Sequence, residues 1–226
     1  VEKIPKKLLK NDLWQRAARH FGKAGRPSES AAAWLAAGHD EEAISALIQA
    51  GDRTQATPLL LKAKRYKEAT EQAHLWLKEL AQEPRRQAEE KIRARLILAA
   101  ALHLDHQPDQ AHAAYDTARE ELTQGTKKSP PLTNGRNWEA LAAYGVRVKR
   151  PDLIRLGYEK ALTAYGQTFN LQRLRCAGEY LENISEDFHL TKELKERLAG
   201  WQPQSSMKRE RERLWEALAK FTGEEN

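Results

Sequence analysis

A dipeptide recurs through the first third of the chain at a fixed interval. Ala24-Gly25, Ala37-Gly38 and Ala50-Gly51 are followed by Ala63-Lys64, each pair 13 residues after the last. The units read AGRPSESAAAWLA, AGHDEEAISALIQ, AGDRTQATPLLLK and AKRYKEATEQAHL. The first three open on a Gly suited to a helix C-cap; polar turn residues such as Asp40 or Asp52 follow, and then Ala and large apolar residues return. Each unit is therefore a short helix plus a tight turn. Two consecutive units make an antiparallel hairpin whose apolar stripe cannot be buried alone, so neighbouring hairpins must stack.

Composition agrees with helices. The 226 residues include 34 Ala and 29 Leu against 7 Ile and 3 Val, with 31% Asp, Glu, Lys and Arg. Strands draw on β-branched residues, which are scarce here. Mean hydropathy is −0.78 and 40% of residues are apolar, which calls for a helical body with more exposed surface than a compact globule of one or two domains needs.

The apolar runs 31–37 and 96–102 fall far short of the roughly 20 residues of a membrane span. The N-terminus VEKIPKKLLK lacks the apolar core and cleavage site of a secretory signal. The chain starts at Val1 and carries its single Met at position 207, so a fragment of a longer protein is expected. Cys176 is alone and can form neither an intramolecular disulfide nor a thiolate zinc site; with no signal present, a cytoplasmic location is expected.

A second spacing overlies the first. Trp14, Ala17, Ala18, Phe21, Trp34 and Ala37 place a large residue, two small ones and an aromatic on one helix, and an aromatic and a small residue on its partner. Trp138, Leu141, Ala142, Tyr158 and Ala161 repeat the intervals, and Leu98, Ala99, Leu102, Ala111, Tyr115 and Ala118 give a weaker copy. Small residues let two helices approach while an aromatic fills the gap between them. Over about half of its length the chain thus resembles the tetratricopeptide repeat family. Gly145 stands where that family usually has an aromatic, and Ile154 where it prefers Ala. The resemblance implies an all-α, right-handed stack of antiparallel helical hairpins, a superhelix of about eleven to thirteen helices here.

The expected organisation is a basic N-terminal extension (1–10), helical-hairpin repeats over 11–124, a loop over 125–137, and further hairpins over 138–226. Within these, helices are expected over 84–104, from Pro108 to about Leu122, and over 168–183, 191–199 and 205–221, the last as a capping helix. The loop GTKKSPPLTNGRN has two adjacent prolines, two glycines and no apolar period. Trp14, Trp34 and Trp138 are expected in the core, whereas Trp76 and Trp201 are the candidates for exposed anchors, weighed against packing on a neighbouring hairpin.

Charge comes in blocks: +6 over 1–26, −4 over 27–60, +4 over 61–97, −4 over 98–125, +7 over 126–176 and −3 over the remainder. Basic stripes across a stacked array would attract an acidic segment or a phosphate backbone. On the tetratricopeptide-like reading, the first helix of each pair lines the inner surface. That resemblance places Gln15, Arg19, Lys23, Arg93, His103, Arg136, Glu139 and Arg147 at inward polar positions. Arg19, Lys23, Arg93, Arg136 and Arg147 are the candidate partner-binding residues, because guanidinium groups fork onto carboxylates. The plain alternative for each is a solvated helix face.

The function expected is a scaffold that binds a protein or acidic peptide, or else a helical arm of a larger multidomain signalling or nucleic-acid-processing protein, where it orders the other domains. Nucleic acid is the lesser alternative for the same charge, since the segment MKRERER at 207–213 alternates sign and no nucleic-acid motif is present. His103, His106 and His112 read as turn histidines rather than metal ligands, and Gly125 to Ser129 lacks the spaced glycines of a phosphate loop. With no G-x-S-x-G, HExxH or recognised Cys/His spacing, neither enzyme activity nor a cofactor is expected.

Overall fold

Among the described residues, six tight turns of one design join successive helices. In each, a residue at positive φ follows a helix end: Gly25 (69°), Gly38 (79°), Gly51 (70°), Lys64 (60°), His106 (60°) and Lys149 (55°). The N–H of that residue donates to the carbonyl three positions back, and the next N–H donates five positions back, as in Gly38 to Leu35 and His39 to Trp34. These bonds close the carbonyls a helix leaves open at its C-terminus. The carbonyl of the residue just after the positive φ then accepts the first N–H of the following helix, as His39 does from Ala43 and Arg150 from Ile154. The 13-residue period is thus the spacing of left-handed residues from Gly25 to Lys64, and His106 and Lys149 form the same joint outside that period, where the sequence has no glycine.

The computed structural model describes residues 6–82, 88–125, 129–166 and 170–183, together with Glu212. Among them are ten helices and no strand. They are α1 (Lys6–Lys23), α2 (Pro27–Ala37), α3 (Asp40–Ala50), α4 (Arg53–Lys62), α5 (Tyr66–Gln82), α6 (Ala88–Leu104), α7 (Pro108–Gly125), α8 (Pro131–Arg147), α9 (Pro151–Tyr165) and α10 (Asn170–Asn183). Pro27, Pro131 and Pro151 stand in the first turns of their helices, where a missing N–H costs nothing. The helices expected over 191–199 and 205–221, and Trp201, lie outside the described residues.

The chain divides into two compact units: Val1–Arg86 with Ile97–Ala114, and Gln87–Leu96 with Tyr115–Asn226. Helices α6 and α7 each contribute one stretch to either unit. In the first unit, Ala31, Ala46, Leu47 and Ala56 of α2, α3 and α4 form a core on which Trp34, Ile48 and Leu59 pack. The Ser30 hydroxyl donates to the Ala18 carbonyl at 2.9 Å, so α1 and α2 meet through small residues. Ion pairs brace the turns: Lys62–Asp40 at 2.7 Å, Arg65–Glu41 at 2.5 Å, Arg65–Glu68 at 2.6 Å and Arg53–Glu79 at 2.8 Å.

In the second unit, α8 and α9 form a hairpin held by glycine. A Cβ at Gly157 would lie 2.5 Å from the Ala142 amide nitrogen, one at Gly145 would lie 2.8 Å from the Ile154 nitrogen, and one at Gly135 would enter the Tyr165 ring. As the α8 position falls from 145 to 142 to 135, its α9 partner rises from 154 to 157 to 165, which is antiparallel pairing. Gly145 and Ile154, the two departures from the repeat pattern, therefore touch. The volume missing on one helix is restored by the larger residue on the other.

Several expectations are corrected. The loop over 125–137 is shorter, because α7 runs to Gly125 and Pro131 opens α8. The second proline sits where helices accept one, and Gly135 is spent on a close contact rather than a turn. The extension over 1–10 is helical from Lys6. Trp14 is 38% exposed, whereas Trp76 is 3% exposed and packed. Residues 96–102 are all buried, so this part of α6 is covered on every side.

Candidate basic binding face

Steps of three and four residues return to one side of a helix. On α8 this aligns Arg136, Glu139, Ala140, Ala143 and Arg147 in a strip between two neighbouring helices. Toward α6, Arg136 Nη1 stands 4.0 Å from Glu89 Oε1, and Arg147 lies within electrostatic reach of Arg93. Toward α10, Glu139 Oε2 stands 3.8 Å from Arg175 Nη2, which belongs to a side chain that also approaches Glu179 at 3.8 Å. All of these residues belong to the second unit.

Arg147 is the unusual member. Its side chain turns back along its own helix, where Nη1 donates to the Ala143 carbonyl at 3.1 Å. Burial, and then the nearby positive charge of Arg93, hold its pKa below the ordinary guanidinium value. Among the described residues no carboxylate stands at salt-bridge distance from Arg93 or Arg147. Two like charges are thus held near each other, one of them largely out of water, without a counterion.

Arg93 therefore lies within electrostatic reach of Arg147, and Arg136 shares the helix face of Arg147. Arg19 and Lys23 are exposed on α1 in the first unit. Of the other inward positions, Gln15 is occupied by a 2.7 Å contact with His39 in the α2–α3 turn, and His103 is an exposed residue of the first unit.

Glu139 is the residue that sequence reasoning undervalued. Its side chain is only 14% exposed, and burial raises its carboxyl pKa against the opposing pull of the Tyr165 hydroxyl and Arg175. Glu139 Oε1 and Tyr165 Oη are buried without a well-directed hydrogen bond, as are Asn134 Oδ1 and Asn137 Oδ1 on the same helix. Burial also raises the Tyr165 phenol and the Cys176 thiol, so both stay protonated at neutral pH. Cys176 itself is fully buried, the place of a small packing residue. Asp152 and Glu159, the other acids of the +7 block, pair with Arg150 and Arg155 nearby in sequence. Glu139 is the acid of that block whose salt-bridge partner lies on another helix, and its isolation from local ion pairs is the signal that could have found it.

A protonated thiol and phenol beside an acid held toward neutrality supply no ready nucleophile. The exposed side of the strip supplies guanidinium groups, which bind anions. Among the described residues, no three His, Cys, Asp or Glu side chains converge to hold a metal ion, and no helix is long and apolar enough to cross a membrane. No family model, curated protein or solved structure matches the chain.

Proposed function

We propose that this protein is an interaction scaffold of tetratricopeptide-like helical hairpins that binds an acidic peptide or partner helix on its basic strip. The carrying observation is Arg147, a largely buried guanidinium within electrostatic reach of Arg93 and with no described carboxylate at salt-bridge distance. A desolvated guanidinium beside a second positive charge is costly when alone and is relieved by a partner carboxylate. Arg136 extends the strip, while Arg19 and Lys23 offer a second basic patch on α1. Work in the cytoplasm belongs to the same reading, supported by the solitary cysteine.

Binding of a fluorescent acidic peptide to the intact chain tests this reading. Reversal of charge at Arg136 and Arg147 should weaken binding at least tenfold and flatten its salt dependence. A single-stranded oligonucleotide that binds more tightly than any acidic peptide would replace the reading with nucleic acid recognition. The stacked architecture is tested by solution scattering, since a compact globule of this length has a radius of gyration of roughly 17 Å. The stack requires a larger value.

A further inference from the structure

The strip on α8 has internal dimensions, and these constrain what can lie on it. Arg136 and Arg147 are 11 residues apart on one helix, a separation of about 16 Å at 1.5 Å per residue. Between them lie Glu139, drawn toward Arg175 on α10, and Ala140 and Ala143, both half-buried, which form a small apolar floor. Arg136 is 51% exposed and its contact with Glu89 is a loose 4.0 Å, so it can turn to a new carboxylate. Arg147 is braced from behind by the Ala143 carbonyl and has Arg93 beside it, which makes this end the stronger anion site.

We propose that the strip reads an extended acidic segment in which two carboxylates, about five residues apart, bracket an apolar side chain seated on Ala140 and Ala143. The spacing follows from an extended rise of about 3.3 Å per residue, with which five residues cover about 16 Å. A helical ligand would need about 11 residues to cover the same distance. The small floor favours an apolar residue between the acids, because a large side chain meets least obstruction there and covers the alanine methyls. The two termini of the strip then act as separate charge contacts, and spacing rather than total charge decides affinity. This inference rests on the acidic-peptide reading above and narrows it.

The test uses the intact chain and three labelled peptides of equal length, the first two of equal composition, measured by fluorescence anisotropy at low salt. One carries two acids separated by four residues that include a Leu, the second carries the acids adjacent, and the third replaces both acids with Gln. The spaced peptide should bind at least tenfold more tightly than the adjacent one, and the Gln peptide should not bind. In Arg136→Ala, and in Arg147→Met, which keeps the apolar stem, the preference for the spaced peptide should vanish while circular dichroism stays unchanged. Arg93→Ala, at an exposed position, should weaken both acidic peptides about equally. If spaced and adjacent peptides bind alike and both respond to the arginine variants, the spacing inference is overturned while acidic binding stands. If no acidic peptide binds, the broader reading falls with it.

Discussion

The two units solve the same problem, joining helices closely, by opposite means. The first uses short helices of 10 and 11 residues in α2 to α4, puts its glycines in the turns at positive φ and braces those turns with ion pairs. The second uses longer helices, puts glycines into the helix contact itself, and leaves four of the buried oxygens of α8 and α9 without a directed hydrogen bond. In the first unit, charge is spent on local pairing. In the second, basic charge on α6 and α8 is left facing outward. The first unit thus closes its joints with charge, whereas the second keeps Arg93 and Arg147 without a carboxylate at salt-bridge distance among the described residues.

The largest test of this contrast is Gly157→Ala. In a helix the change should gain about 1 kcal/mol of propensity, but the new Cβ would meet the Ala142 backbone, and overpacking of that kind costs about 1 to 3 kcal/mol. Backbone cannot swing aside as a side chain can, so net destabilisation is expected in denaturant melts. Next is Glu139→Gln. Because the folded pKa of Glu139 is raised, the neutral form fits the fold better, and stability contributed at low pH is lost as pH rises through the folded value. Glu29 and Glu68 of the first unit run the other way: Arg26 and Arg65 lower their pKa values, so their contribution is lost as pH falls. Glu139→Gln should therefore raise the melting temperature at neutral pH and have little effect at acidic pH. A variant that melts lower at neutral pH would show that the charged form stabilises the fold.

Gly38→Ala should cost about 1 kcal/mol, through a left-handed conformation that a Cβ resists rather than through a clash, since nothing lies within 4 Å of the added carbon. The converse change, Lys64→Gly, should be neutral or slightly stabilising, because Lys64 already occupies that conformation at φ 60°. The smallest effect is expected for Lys62→Ala, which breaks a pair with Asp40 that is 70% exposed on the lysine side and should cost under about 1 kcal/mol, fading with added salt.

The turns show how far the sequence could be read. Gly25, Gly38 and Gly51 announced their conformation, because glycine is the residue that reaches positive φ without penalty. His106 and Lys149 occupy the same joint silently, held there by the two hydrogen bonds of the turn and not by residue type. Gly145 and Ile154 read as two separate irregularities until their contact made them one exchange of volume across a hairpin. At the candidate site, residue type and helical spacing were enough to group Arg136 with Arg147. That Arg93 joins them, whereas Arg19 and Lys23 belong to another unit, depends on which helices pack together. Helical period carries no information about that. The buried state of Glu139 was likewise hidden, since its partners Tyr165 and Arg175 come from helices 26 and 36 positions further along.

The uniform joint also sets a rule for how such a chain can change length. The joints at Gly25, Gly38, Gly51 and Lys64 stand 13 residues apart, so α2, α3 and α4 each occupy one 13-residue piece with its turn. Loss or duplication of a whole piece would restore the same pair of hydrogen bonds at the new junction, because each piece begins and ends on the same left-handed position. Loss or gain of any other number of residues would part that position from the helix end it closes. Length variants of this stretch should therefore differ by multiples of 13 residues, an interval imposed by the joint alone.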